Sequence, residues 1–199
     1  MKEIKLHGAF SAPFIQFPFS NHKKYTFPEI ERSERKPQDW VASVNTSFPD
    51  IAEDDPYIST IFKNKLKRDL RADIKEIFRD LDIKNDFEMN QFWYNVYHEQ
   101  QGQEPHDHLS DCTDKNPFWS MIYYNKGTTP TVFTRSDGWY RTQEFPGWND
   151  CKINSCFQHD YVPEIVEGDV ILFPPYIKHY VGHTIPEMRV TFASNLILV

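Results

Sequence analysis

The sequence predicts a mainly β fold, an antiparallel sandwich or barrel with one long supporting helix covering a sheet. Three observations carry that prediction. Between Tyr57 and Leu81 apolar residues recur three and four apart; beyond 87 short aromatic and β-branched segments follow one another; and turn residues separate those segments.

Taken in order, residues 1–56 mix short apolar pieces with Pro13, Pro18, Pro28, Pro37, Pro49 and Pro56. Proline removes a backbone donor and fixes φ, so long helices are excluded there and edge strands or surface loops are expected. The apolar run 10–19 is expected to pack on the main body. Over 57–82, Ile58, Ile61, Phe62, Leu66, Leu70, Ile74, Ile77, Phe78 and Leu81 make one apolar stripe. Asp54 and Asp55 offer a capping carboxylate and Pro56 suits a first turn, so the helix is expected to start there. The basic cluster Lys63, Lys65, Lys67, Arg68 reads as a solvated face. Strands are expected at 87–98, 117–125, 131–135, 161–166, 169–173, 178–181 and 189–199. The segment 136–159, with Trp139, Tyr140 and Trp148, reads either as a lid or substrate-contacting insertion or as an aromatic-anchored hairpin. A single domain, 1–199, results: an N-terminal extension and helix over 1–86, then a β core over 87–199.

Composition narrows the function. A chain of 199 residues supports one sizeable core. Its net charge of −7 argues against binding phosphate backbones, so nucleic acid is disfavoured as a partner. No run approaches the roughly 20 apolar residues of a membrane span, and the first residues lack a basic-then-apolar secretory pattern, so a cytoplasmic protein is expected. Cys112, Cys151 and Cys156 then read as reduced thiols, and one close pair without a second does not build a structural zinc site.

The chemistry lies in the histidines. In Pro105-His106-Asp107-His108 the two imidazoles, two residues apart on an extended segment, project to one side while Asp107 faces away. Imidazole is a common ligand of divalent iron, zinc, copper and nickel, and a pair needs a third ligand from elsewhere. By itself the fragment reads as a polar loop with two exposed histidines. A second fragment changes the balance: Gly168-Asp169-Val170-Ile171-Leu172-Phe173-Pro174 is a turn and a buried strand, His179 follows, and Arg189 opens the closing strand. Alternation puts Arg189, Thr191 and Ala193 on one face and Val190 and Phe192 on the other. If 178–181 pairs with the closing strand through a turn at Pro186, His179 and Arg189 point into one barrel. Arg189 could instead pair with Glu187 or a helix acid. His98, His159 and His183 read as surface residues. Of the neighbours Tyr123 and Tyr124, only one can face the cavity. A zinc hydrolase has little support, because no His-Glu-x-x-His occurs.

Together, His-x-His at 106–108, the strand 118–124, Gly-Asp-Val-Ile-Leu-Phe-Pro, His179, and Arg189-x-Thr191 running to Asn195 resemble the iron(II)- and 2-oxoglutarate-dependent oxygenases. The likeness spans roughly residue 87 to the C-terminus and is nearest the prolyl-hydroxylase-like branch and the small oxygenase-fold proteins of phages and bacteria. It implies a double-stranded β-helix, that is, a cupin-like jelly roll, with the long helix packed on its larger sheet and a metal near one open end. It further implies His106 and His179 as iron ligands, Arg189 as the holder of the distal carboxylate of 2-oxoglutarate, and Thr191 as a hydroxyl sharing that carboxylate. Tyr124 and Tyr97 match tyrosines that reach the co-substrate, and Asn95 and Asn195 match the cavity wall.

Most of the family has His-x-Asp where this chain has His-x-His. His108 is then the favoured third ligand, with Asp111 as the alternative carboxylate. The implied cofactors are Fe(II), 2-oxoglutarate and dioxygen. The implied reaction is hydroxylation of a substrate such as a peptide or protein side chain, with oxidative decarboxylation of 2-oxoglutarate to succinate. The alternative is a cupin-like protein that binds metal or a small molecule without that turnover.

Overall fold

The computed structural model describes residues 4–9, 12–48, 55–109, 117–135, 160–183 and 186–199. Phe10, Asp54, Asp111, the three cysteines and 136–159, with Trp139, Tyr140, Trp148 and His159, lie outside the described residues. The strands are β1 Lys5–Ala9, β2 Ala12–Pro18, β3 Asn45–Thr46, β4 Phe87–Tyr97, β5 Gln103–His106, β6 Trp119–Lys126, β7 Val132–Thr134, β8 Asp160–Tyr161, β9 Asp169–Phe173, β10 Lys178–Val181 and β11 Arg189–Leu198; one α-helix, α1, spans Thr60–Asp80. They form two antiparallel sheets, a larger one in the order β1-β2-β9-β6-β11-β4-β3 and a smaller one in the order β5-β10-β7-β8. The architecture is mainly β, two-layered and jelly-roll-like.

Alternation sorts the larger sheet into two faces. Tyr123, Val170, Leu172, Val190 and Phe192 share a core with Leu66, Leu70, Ile74, Ile77 and Phe78 of α1. Burying such a side chain contributes about 1.5–3 kcal/mol, against about 0.2–0.5 kcal/mol for a surface ion pair along a helix, so the apolar stripe sets which side of α1 faces the protein. On the other face Ile122, Tyr124, Ile171 and Phe173 meet Phe133 and Ile177 of the smaller-sheet side. Tyr123 and Tyr124 thus face opposite ways, as a two-residue period requires.

Three expectations need correction, and one strand goes unsignalled in the sequence. The helix begins later than Asp54 or Asp55: Ser59, in an extended conformation, accepts from the Phe62 amide as its cap. Asp55 instead closes a separate turn by accepting from the amides of Tyr57 and Ile58, which leaves Pro56 outside the helix. Of 161–166 only Tyr161 is strand, as part of β8. β10 does not pair with the closing strand. It fills the slot between β5 and β7, so His179 and Arg189 belong to different sheets. Finally, β5 is a strand that the Gln- and Glu-rich stretch 99–104 did not suggest, because its pairing with β10 is a long-range contact.

No helix among the described residues is long and apolar enough to cross a membrane.

Candidate metal centre

Pairing of β5 with β10 places His106 directly opposite His179. The chain then leaves the strand, and the His108 amide donates to the Pro175 carbonyl at 2.9 Å, which returns the second imidazole to the same place. One ring nitrogen from each of His106, His108 and His179 lies within 4.8 Å of the others. His108 and His179 are buried, and His106 is half-buried. Phe173 packs edge-on against His179 and His108, with centroids at 4.9 and 5.9 Å, and Phe133 lies 5.8 Å from His179.

Hydrogen bonds fix the tautomers. Nδ1 of His106 donates to the Glu104 carbonyl at 2.9 Å, Nδ1 of His179 to the Ile177 carbonyl at 3.1 Å, and Nδ1 of His108 to Asn195 Oδ1 at 2.7 Å. Each partner is an acceptor only, so each Nδ1 carries a proton, and a ring that is neutral holds its lone pair on Nε2. Burial, then the neighbouring His106, pulls His108 down from 6.5 to about 3. Burial, then His106 and His108, holds His179 well below 6.5. Three clustered imidazoles, two of them held neutral by burial, are a donor set suited to a divalent transition metal.

These depressed values set a pH dependence. The unfolded chain takes up protons on these histidines below about pH 6.5, whereas the folded state resists them. The unfolded state therefore binds more protons in that range, and stability of the metal-free protein is complete above 6.5 and falls as pH drops toward 3. Urea unfolding of chelator-treated protein at pH 7.5 and pH 5 should show the lower midpoint at pH 5; equal midpoints would contradict neutral His108 and His179.

Arg189 approaches the same cavity from the larger sheet. It is 1% exposed, and its guanidinium lies between two tyrosine rings, 5.1 Å from the Tyr97 centroid and 5.2 Å from that of Tyr124. Nε donates to the Thr129 carbonyl and Nη2 to Thr131 Oγ1, each at 2.8 Å. Among the described residues it makes no ion pair with Glu187, a helix acid or any other carboxylate. A buried cation with neutral partners leaves its charge uncompensated, a costly arrangement that an anion in the cavity relieves.

His106, His108, His179, Arg189, Thr191, Tyr97 and Asn95 all line one cleft. Tyr97 donates to Gln103 Oε1 at 2.6 Å, and burial raises its phenol above the ordinary value. Tyr124 lies behind Arg189 and accepts from the Thr131 amide through its hydroxyl at 3.1 Å. Asn195 sits behind His108 and holds it, so its place is under the histidine cluster and not in the cavity wall. Asn95 is in the wall, and its Oδ1 is buried without a partner among the described residues. Reading the sequence missed Thr131, Gln103, and a wall made by Trp40, Phe48 and Trp93. Trp40 stacks on Phe48 at 5.1 Å, Phe48 meets Trp93 at 5.1 Å, and Trp93 lies 5.7 Å from His108. Aromatic residues punctuated by proline carried no signal of that position.

No protein-family model matches the chain, and no curated protein matches it. Solved structures do. HygX from Streptomyces hygroscopicus with nickel and 2-oxoglutarate bound superposes with a TM-score of 0.53 at 11% identity, covering 92% of this chain and 82% of that one. The same protein with nickel, 2-oxoglutarate and hygromycin B bound gives 0.51 at 11% identity, with the same coverage of 92% and 82%. An oxidoreductase of the 2OG-Fe(II) oxygenase family from Burkholderia pseudomallei gives 0.50 at 9% identity, covering 98% of this chain and 73% of that one. At such identities the likeness is one of architecture. With its two antiparallel sheets closing on a histidine cluster, the chain has the fold of the 2OG-Fe(II) oxygenases.

Proposed function

We propose that the protein is an iron(II)- and 2-oxoglutarate-dependent oxygenase that hydroxylates an organic substrate. One observation carries the reading: a buried guanidinium lacking a described carboxylate partner shares a cavity with three clustered imidazoles. In this reading His106, His108 and His179 hold the iron. Arg189 takes the distal carboxylate of 2-oxoglutarate through its planar donor fork, which matches a carboxylate as no ammonium does. Thr191 adds a hydroxyl beside it, and Tyr97 and Tyr124 help to hold the guanidinium through cation–π contacts. In the same reading the two sheets form a double-stranded β-helix, with α1 packed on the larger one.

When bound, the iron and 2-oxoglutarate supply the oxidising chemistry: substrate C–H, dioxygen and 2-oxoglutarate become C–OH, succinate and carbon dioxide. The chain's residues supply position and exclusion of water. Ile122, Val181 and Ala193 line the cavity with apolar surface. Co-substrate carboxylates offer only acceptors, so Asn95 Oδ1 is left for an N–H or O–H of the organic substrate. Trp40, Phe48 and Trp93 give that substrate an apolar wall.

Anaerobic titration with iron(II) and 2-oxoglutarate tests the reading. A weak visible charge-transfer band and a 2-oxoglutarate-dependent rise in melting temperature are expected. Metal binding with neither effect would make the protein a metal-binding jelly roll without this turnover.

A further inference from the structure

Behind His108 lies a polar strap that its catalytic neighbours do not need for their own sake. Asn195 Oδ1 accepts from His108 Nδ1 at 2.7 Å and from Ser120 Oγ at 3.1 Å, while Asn195 Nδ2 donates to Gln91 Oε1 at 3.2 Å. Asn195 and Ser120 are 1% and 0% exposed. The Gln91 side chain arrives there through a backbone irregularity. In the pairing of β11 with β4, Ser194 faces Phe92 and Asn195 faces Asn90, so Gln91 is the extra residue of a β-bulge. Its φ is +51°, a left-handed conformation rare for a residue with a side chain. Bulges of this kind re-aim a side chain, and here the re-aimed carboxamide fixes which way the Asn195 amide points.

From this geometry we infer that Gln91, Asn195 and Ser120 are positioning residues that specify a neutral imidazole, with its lone pair on Nε2, as the third ligand at position 108. The inference rests on the metal-centre reading above and deepens it. With Gln91 Oε1 taking the Asn195 amide hydrogen, Asn195 must present oxygen to residue 108. An oxygen there accepts the Nδ1 proton of an imidazole. A carboxylate at 108 would need a donor instead, which Asn195 can offer only by turning its Nδ2 away from Gln91. The supporting shell is thus built for histidine, and the three-histidine set is the designed state of this site rather than one missing an aspartate.

Anaerobic Co(II) titration of the full chain, read by calorimetry and by the visible d–d bands, tests this. Asn195→Leu is expected to weaken Co(II) binding by about 10- to 100-fold, the usual cost of losing an outer-shell partner, and to shift the bands. Asn195→Asp keeps an acceptor and should stay within a few-fold of the native affinity. Gln91→Gly suits the positive φ, so the melting temperature of the metal-free variant should hold or rise while Co(II) affinity falls by about tenfold. A merely structural role would move stability without moving the bands. Native affinity and spectrum in both Asn195→Leu and Gln91→Gly would overturn the inference while leaving the metal centre intact. Failure of the unsubstituted protein to bind Co(II) would overturn both. Should Asn195→Leu not fold, the Gln91→Gly comparison decides.

Discussion

Replacing Arg189 with alanine is expected to weaken 2-oxoglutarate binding to the metal-loaded protein by about 30-fold to a few thousand-fold. Truncating one partner of a buried charge pair costs about 2–5 kcal/mol, and each 1.4 kcal/mol is about tenfold in affinity. The guanidinium is held in advance by Thr129, Thr131 and two tyrosine rings, so little ordering offsets the gain when a carboxylate arrives. Metal affinity should be nearly unchanged, because Arg189 belongs to the sheet opposite His106 and His179. Arg189→Lys should recover only part of the loss, since an ammonium cannot donate in parallel to both carboxylate oxygens or lie between two rings as a plane. Anaerobic calorimetry with 2-oxoglutarate is the measurement. Equal affinity in Arg189→Ala would remove the guanidinium from the co-substrate site.

The second large effect concerns His179→Ala. His179 is opposite His106 in the strand register, within reach of His108, and 4% exposed. Losing a ligand removes a metal bond, so the fall in affinity should exceed the roughly 100-fold upper cost of losing an outer-shell partner. Thermal denaturation offers a simple reading. A metal at a hundred times its dissociation constant stabilises a protein by about 2.7 kcal/mol, and that metal-induced shift should vanish in His179→Ala. A persisting shift would place the ion elsewhere.

Parts of this site were legible in residue order. His-x-His, a Gly-Asp turn before a buried strand, His179 and Arg189 each stand where strand alternation can aim them, and Arg189, Thr191 and Ala193 do line the cavity while Val190 and Phe192 enter the core. What could not be read was which strands meet. Alternation fixes a face, not a partner, so β10 was assigned to the wrong neighbour although His179 shares the cavity with Arg189. The support residues were hidden for the same reason. Thr131 meets Arg189 across 58 positions and Asn195 meets His108 across 87. Gln91 owes its role to a bulge, which arises from pairing and leaves no mark in composition. The helix stripe was visible, but its first residue depended on Ser59 and Asp55 sharing two successive turns.

β5 stands at one edge of the smaller sheet and, among the described strands, pairs with β10 alone, through His106 and Gln103 with an irregularity between them. An ion gripped by the two imidazoles that face each other there would act as a rivet across this joint. Emptying the site would then be felt first along the β5 backbone, as faster amide hydrogen exchange from Gln103 to His106, well before the helix-backed sheet responds. Loading the metal and finishing the rim of the sheet would then be one event.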